Sequence, residues 1–213
     1  MRFFRCVSVC AAALGAVAFA APPVPVFSAS AKPDPVDLAE YRMGDSFEAI
    51  YPPTVRASSS LAASGANRYS AKMLTDGDVR TAWVEGARGS GTGEWIEWTF
   101  DRTDEKPGDG RETAVAVTDL YLFNGYRKGD SAWRNNGRVR SFDLYIGGKG
   151  GKKIAALKLL DTKQYQSVAI PRTVLTPGKK TVLRLVVTGA YRGSGRATDT
   201  AVSEAEWIGE GVF

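Results

Sequence analysis

Two aspartates and a threonine within one short segment have the right chemistry for a metal site. Asp76 and Asp78 flank Gly77, and Thr81 follows three residues later. Hard cations such as Ca²⁺ prefer carboxylate, hydroxyl and carbonyl oxygens, and this segment offers all three. The same residues are also typical of a capped turn, in which aspartates accept backbone N–H groups around a permissive glycine. The spacing alone favours the turn and leaves the cation site open.

A polar segment between two predicted strands, residues 124–138, has the composition of a sugar-binding loop. Its aromatic rings offer flat apolar faces for sugar rings, and its arginine and asparagine side chains can donate hydrogen bonds to hydroxyl groups. The alternative is that these rings cover the end of the core, and we expect at least one of them to do so. Together with one aromatic residue of a later glycine-containing segment, the candidate ligand-binding residues are Tyr126, Trp133, Arg134, Asn136, Arg138 and Tyr191.

Composition excludes several kinds of catalysis. The 213 residues include no histidine, which rules out a Ser-His-Asp triad, a Cys-His pair and a histidine metal site. The glycine-rich segments 86–93 and 191–200 lack the spacing and the lysine of a P-loop. Carboxylate pairs that could hydrolyse a glycosidic bond are present, but nothing in the sequence indicates the pocket they need. We therefore expect no enzyme activity. These pairs are Asp76 with Asp78, Glu94 with Glu97, and Glu204 with Glu206.

Residues 1–20 have the plan of a secretory signal peptide. Two arginines precede an uncharged apolar run, and residues 18–20 provide an A-x-A cleavage site, with a second site at residues 28–30. An uncleaved anchor and a lipid anchor on Cys10 are the alternatives. Cleavage after residue 20 removes both cysteines and lowers the formal net charge from +5 to +3. We therefore expect an exported protein in the periplasm, on the cell surface or secreted, without disulfides, a membrane span or a nucleic-acid partner.

The elements that must position these loops are predicted to be strands. Residues 21–50 are rich in proline and alanine and predict an extended tether. From residue 51 to 213, short runs alternate apolar and polar residues, which is typical of half-buried antiparallel strands. The fold class is therefore all-β, an antiparallel sandwich or jelly roll, with one short helical signal at residues 70–74. The predicted strands are residues 54–61, 94–100, 113–123, 141–146, 154–160, 166–170, 182–187 and 201–208.

The order and spacing of several motifs resemble a discoidin-type, galactose-binding-like domain. The similarity is closest to the NADase-type glycan-binding domain, which is also described as the translocation domain of secreted NAD glycohydrolases. It covers about residues 50–210, nearly all of the predicted mature chain. The motifs are ASSS (57–60), NxYS (67–70), LxDGDxxTAW (74–83), EWIE (94–97), NGY (124–126), NxR (136–138) and DTAVSE (199–204).

This resemblance implies a β-sandwich jelly roll that binds a glycan or cell-envelope polysaccharide through loops at one end. It also implies a structural calcium ion held by Asp76, Asp78 and Thr81, with Glu204 from the last strand. Because the sequence shows no hydrolase domain beside the module, NAD hydrolysis is not implied. The resulting hypothesis is an exported, non-catalytic glycan-binding module. The alternative is a cell-envelope module of the same fold that binds a protein partner or acts as a scaffold.

Overall fold

Strands make up most of the secondary structure. The computed structural model describes residues 22–33, 48–50, 54–106, 114–195 and 199–212. Within these residues there are twelve strands, one 3-10 helix and one short α-helix. The elements are β1 (Val26–Ser28), β2 (Ser30–Lys32), β3 (Glu48–Ile50), β4 (Thr54–Ala57), the 3-10 helix (Ala71–Leu74), β5 (Trp83–Val84), β6 (Trp95–Asp101), β7 (Ala114–Asn124), α1 (Asp130–Asn135), β8 (Gly137–Ile146), β9 (Lys152–Lys158), β10 (Tyr165–Leu175), β11 (Lys180–Tyr191) and β12 (Thr200–Val212).

The strands form two layers. One contains β2, β10, β7 and β12, with β3 and β5 also paired to β12. The other contains β9, β8, β11, β6 and β4, with β1 added beside β9. Most pairings are antiparallel, and a short parallel pairing of Thr200 with Gly137 and of Ala201 with Arg138 joins the layers. The predicted antiparallel β-sandwich is confirmed.

The core lies between the two layers and is built from the alternating apolar positions of the strands. In β6, Ile96, Trp98 and Phe100 are buried, as the period-two pattern predicts. Trp98 packs edge-to-face against Trp207 of β12, with ring centroids 5.4 Å apart. Since β6 and β12 belong to different layers, this contact shows the two layers packing face to face. Each such fully buried side chain stabilises the fold by roughly 1.5 to 3 kcal/mol.

The segment predicted to be a tether forms strands where the structure describes it. β1 pairs in parallel with β9, and β2 pairs in antiparallel fashion with β10. Phe27 packs against the core, and Ala29 is buried in it. Three of the prolines that suggested irregular structure, at residues 22, 23 and 25, precede β1, and a fourth, at residue 33, directly follows β2, so these four remove no donor from the pairing of either strand. Residues 26–32 are therefore part of the domain, as are residues 48–50, which pair with β12 as β3, and the tether prediction is wrong at both places.

The other element predictions agree with the structure to within a few residues at most ends. The helical signal at residues 70–74 is the 3-10 helix, whereas β5 and α1 were not predicted because each is too short to show a period. The proposed signal peptide and residues 34–47 lie outside the described residues. Among the described residues, no helix is both long enough and apolar enough to cross a membrane.

Candidate functional site

The aspartate segment that follows the 3-10 helix forms a tight hydrogen-bonded turn. Asp76 Oδ1 accepts the backbone N–H of Asp78 at 3.0 Å, and its Oδ2 accepts the Thr81 hydroxyl at 2.9 Å. Gly77 at the centre has φ of 81°, a left-handed conformation that favours glycine. Asp78 makes a two-pronged ion pair with the guanidinium of Arg80, both contacts at 2.9 Å. The hydrogen bonds from Arg80 hold the pKa of Asp78 below its ordinary value, so the carboxylate is ionised at neutral pH.

The calcium ligands predicted by the resemblance are only partly brought together. Asp76, Asp78 and Thr81 share the turn, and their oxygens suit a hard cation, but Arg80 occupies both oxygens of Asp78. Glu204 is 1% exposed in β12, a strand that packs against the 3-10 helix preceding the turn. No cluster of three or more acidic, cysteine or histidine side chains suited to a metal occurs in the described part of the chain. Calcium binding stays a prediction.

The turn after β7 is fixed by side chains that complete the backbone pairing of the strands. The Asn124 side chain is fully buried and pairs with Val139 as a backbone segment would, accepting its N–H at 3.0 Å and donating to its carbonyl at 2.7 Å. Ser203 of β12 donates to the Gly125 carbonyl and accepts the N–H of Arg127, each at 3.0 Å. The position of Tyr126 is therefore set by both layers of the sandwich.

Tyr126 is mostly buried, at 8% exposure, and stands edge-on to Tyr69 with ring centroids 6.1 Å apart. The two rings pack in a small apolar cluster beside the main core. Burial, together with neighbouring Tyr69, raises the pKa of the Tyr126 phenol above its ordinary value. The phenol therefore remains neutral at physiological pH and can donate or accept a hydrogen bond.

Trp133, in α1, packs against the same turn. Its indole N–H donates to the Asn124 carbonyl at 3.0 Å, and the Arg138 guanidinium lies over its ring at 4.5 Å. Gly125 between them has φ of 87°, and a Cβ there would lie 2.6 Å from Arg138 and 2.8 Å from Trp133. Arg138 is itself buried and paired with Asp161 at 2.7 Å. One face of the Trp133 ring thus packs against the protein. Because the side chain is only half-buried, part of the ring stays accessible to solvent.

The remaining predicted ligand-binding residues surround the end of α1. Asn136 donates its side-chain N–H to the Ala132 carbonyl at 2.8 Å, whereas the Arg134 side chain is exposed. Tyr191 donates its hydroxyl to the Leu159 carbonyl at 2.9 Å. The glycines that follow Tyr191 let the backbone approach α1 closely, because a Cβ at Gly193 would lie 2.2 Å from the Asn135 carbonyl oxygen. Their loop satisfies the last carbonyls of the helix.

An open cleft of about 390 Å³ lies where the aspartate turn meets the turn after β7. Its volume falls within the usual range of small-molecule sites. It brings together three of the predicted residues, Asp78, Thr81 and Tyr126, with six that were not predicted. The complete lining is Ala66, Asn67, Arg68, Met73, Asp78, Arg80, Thr81, Tyr126 and Lys128.

A hydrogen bond between two residues distant in sequence spans this cleft. Lys128 Nζ, from the turn after β7, donates to Asn67 Oδ1 in the loop before the 3-10 helix. Arg68 beside it donates to the carbonyls of Gly65 at 2.9 Å and Asn67 at 3.1 Å. Of these residues only Asn67 was indicated beforehand, because it belongs to a motif of the resemblance. Nothing in the local sequence pointed to Arg68, Arg80 or Lys128.

The carboxylate pairs considered for glycoside hydrolysis have other partners. Glu97 is bound by Arg56 and Arg184, and Glu94 accepts hydrogen bonds from Ser58 and Ser59. Asp78 is bound by Arg80. A general acid needs a raised pKa, and the arginines of Glu97 and Asp78 act in the opposite direction.

Solved structures with a similar fold include CBM32 domains of Clostridium perfringens ZmpB. A structure of the CBM32-1 and CBM32-2 domains from Clostridium perfringens ZmpB matches 89% of this chain and 42% of its own, with 13% identity and a TM-score of 0.57. The same domains in complex with GalNAc match 89% of this chain and 41% of their own, with 11% identity and a TM-score of 0.58. This chain thus spans about two fifths of those structures, and the likeness establishes the fold.

Sequence comparison places the chain in a family. No curated protein matches it significantly. The profile of the NAD glycohydrolase translocation F5/8 type C domain matches residues 47–207, which include β3 to β11 and the first half of β12. The matched stretch contains the Asp76 turn, the Asn124 turn and every residue that lines the cleft. The chain therefore belongs to the family of the NAD glycohydrolase translocation F5/8 type C domain.

Proposed function

We propose that this domain binds a glycan, without catalysis, in the cleft between the aspartate turn and the turn after β7. The observation that carries the proposal is the cleft itself, which combines an aromatic ring with converging polar side chains. Tyr126 supplies a mostly buried ring that reaches the cleft wall, and Asn67, Thr81 and Arg80 supply hydrogen-bonding groups suited to sugar hydroxyls. The solved ZmpB domains with GalNAc share this fold, which supports a sugar as the ligand.

Export is part of the same proposal. The composition of residues 1–20 predicts a signal peptide, and the family description refers to translocation. A glycan of the cell envelope or of another cell's surface would then be within reach. A structural calcium ion at the Asp76 turn is proposed with it, as a group that would hold the cleft in shape rather than one that reacts.

Glycan-array screening followed by isothermal titration calorimetry tests the proposal. We expect at least one sugar to bind with a dissociation constant of about 0.1 to 1 mM, because an open site contacts few ligand atoms. Asn67→Ala with Arg80→Ala should weaken binding at least tenfold. Arg172→Ala is the matched control, since Arg172 is also exposed and paired with one carboxylate, Glu210, but lies on β10.

Two outcomes would contradict the proposal. One is the absence of binding to any sugar by a folded protein. The other is sugar binding that the cleft variants leave unchanged. Retained binding to a protein partner by the Asn67 and Arg80 variant, without sugar binding, would favour the interaction module instead. Trp133→Phe tests the second aromatic candidate, Trp133, which does not line the cleft. The variant removes the indole N–H that donates to Asn124 and keeps an aromatic ring, and we expect it to leave sugar binding unchanged.

A further inference from the structure

Two cations of the cleft are held in place by uncharged partners. Arg68 donates to the carbonyls of Gly65 and Asn67, and Lys128 donates to the side-chain oxygen of Asn67. Both side chains are exposed at the cleft wall. Neither forms an ion pair with any carboxylate of the described residues. Their charges are therefore positioned without being neutralised.

This arrangement differs from that of many other cations in the domain, which are paired with carboxylates. Arg138 is paired with Asp161 even though it is buried, and Lys180, an exposed lysine of β11, is paired with Asp101. Further such pairs in the described chain are Arg56 and Arg184 with Glu97, Lys153 with Asp143, Lys163 with Asp130 and Arg172 with Glu210. Within the described residues, the cleft thus holds two cations, Arg68 and Lys128, that have no carboxylate partner, beside Arg80, which is paired with Asp78.

The charges that face the cleft leave a positive excess. Arg68, Arg80 and Lys128 contribute three positive charges to its lining, and Asp78 contributes one negative charge. Asp76 lies just outside, with its carboxylate bound to the Thr81 hydroxyl. An arginine fork is suited to a carboxylate, sulfate or phosphate group, and the field of several like charges in a cleft favours an anion over a neutral ligand.

We propose that the glycan is acidic, with its anionic group bound between Arg68 and Lys128 and the sugar beside the small exposed part of Tyr126. This inference rests on the proposed glycan-binding function and names the class of sugar. The acidic group is the carboxylate of a uronic or sialic acid, or a sulfate ester. A nucleic acid is a poorer fit, because a phosphate backbone needs an extended basic stripe, whereas the three cations of the cleft are gathered at one open site.

Pairs of sugars that differ only in charge test the proposal. The probes are 3′-sialyllactose against its carboxyl methyl ester, a hyaluronan hexasaccharide against its carboxyl-reduced form, and a chondroitin sulfate oligosaccharide against its desulfated and carboxyl-reduced form. Titrations are done at low and moderate salt, each in excess Ca²⁺ and again with EDTA, which separates recognition by the cations from bridging by Ca²⁺. We expect the charged member of at least one pair to bind at least tenfold more tightly, and the difference to shrink about threefold or more as salt rises.

Single-charge variants locate the site. Arg68→Gln and Lys128→Gln should each weaken binding of the charged sugar by about three- to tenfold, and should weaken binding of the neutral partner clearly less. Lys180→Gln is the control, since it removes an exposed lysine that is paired with Asp101 on the sheet. Thermal melts of all variants verify the fold.

The results separate this inference from the function on which it rests. Equal binding of both members of every pair overturns the acidic specificity and leaves glycan binding standing. Binding of no member, charged or neutral, contradicts both. Tighter binding of the charged sugar that is unaffected by Arg68→Gln and Lys128→Gln overturns the assignment to this cleft. Tighter binding of an oligothymidylate than of any sugar overturns the glycan and points to a phosphate backbone.

Discussion

At the scale of single residues, the ion pair between Asp78 and Arg80 determines whether the turn at residues 76–81 has free carboxylate oxygens for a calcium ion. Asp76 and Asp78 are arranged as expected for either a capped turn or a cation site, since Asp76 accepts a backbone N–H and a hydroxyl. Arg80 binds both oxygens of Asp78, and its side chain is 75% exposed. A calcium ion would have to displace this guanidinium, which can swing into solvent at small cost because an exposed ion pair is weak.

The calcium prediction is therefore best tested with Arg80→Gln. We expect Ca²⁺ to raise the melting temperature of the wild type by about 2 to 5 °C, because it binds the native state. The variant should show a larger increase, since Asp78 is then available. Differential scanning calorimetry in EDTA and in excess Ca²⁺ measures both shifts. Identical melting curves with and without Ca²⁺, for both proteins, would show that the native protein does not bind Ca²⁺.

At the scale of elements, a buried carboxylate holds three strands of one layer together. Glu97 of β6 is 3% exposed and binds Arg56 of β4 and Arg184 of β11. Burial disfavours its charged form, but the hydrogen bonds from Arg184 and Arg56 outweigh burial and lower the pKa of Glu97 below its ordinary value. Arg184 also lies over the Trp95 ring at 4.1 Å, which fixes its guanidinium.

Glu97→Gln should lower the free energy of unfolding at neutral pH by about 2 kcal/mol, because it weakens charge-assisted hydrogen bonds at a buried position. The sign of the pH dependence follows from the lowered pKa. The stabilisation by Glu97 is fully present above the unfolded-state pKa and is lost as pH falls through the lower folded-state pKa.

Urea denaturation at pH 7 and at a series of acidic pH values measures this effect. The difference between wild type and Glu97→Gln should narrow below about pH 4. Glu210→Gln is the control, since its pair with Arg172 is exposed and we expect a change of less than about 0.5 kcal/mol. A constant difference at all pH values would show that Glu97 acts by packing rather than by charge.

At the scale of the whole molecule, residues 22–33 join the two layers. β1 extends the layer of β9, whereas β2 extends the layer of β10. The connecting residue Ala29 is buried in the core, and its N–H donates to the Lys158 carbonyl at 2.8 Å. A stretch that lies before the matched family region is thereby part of the folded domain.

Phe27→Ala tests this assignment. The ring is partly buried against the core, so we expect a loss of about 1 to 2 kcal/mol, less than for a fully buried phenylalanine. Val26→Ala is the matched control, because Val26 is 57% exposed and should change stability by less than about 0.5 kcal/mol. Equal stability of the Phe27 variant and the wild type, measured by urea denaturation, would show that β1 contributes nothing to the fold.

How much the sequence predicts depends on the length of each element. Long strands such as β6 and β11 show several apolar alternations, so their positions and buried faces could be predicted. β1 and β2 have three residues each, and their strand conformation comes from the edges they pair with. Such pairing depends on partners more than a hundred residues away, which no local pattern encodes.

The sequence by itself determined the fold class, the family resemblance and the turn at Asp76, because periodicity and turn chemistry are local properties of the chain. It also singled out Tyr126, which does line the cleft. Tertiary structure alone decided which cations gather there. Arg68, Arg80 and Lys128 come from separate loops, and Lys128 meets Asn67 across 61 residues. Their convergence follows from how the two layers bring distant loops to one end, which depends on long-range strand pairing rather than on any motif.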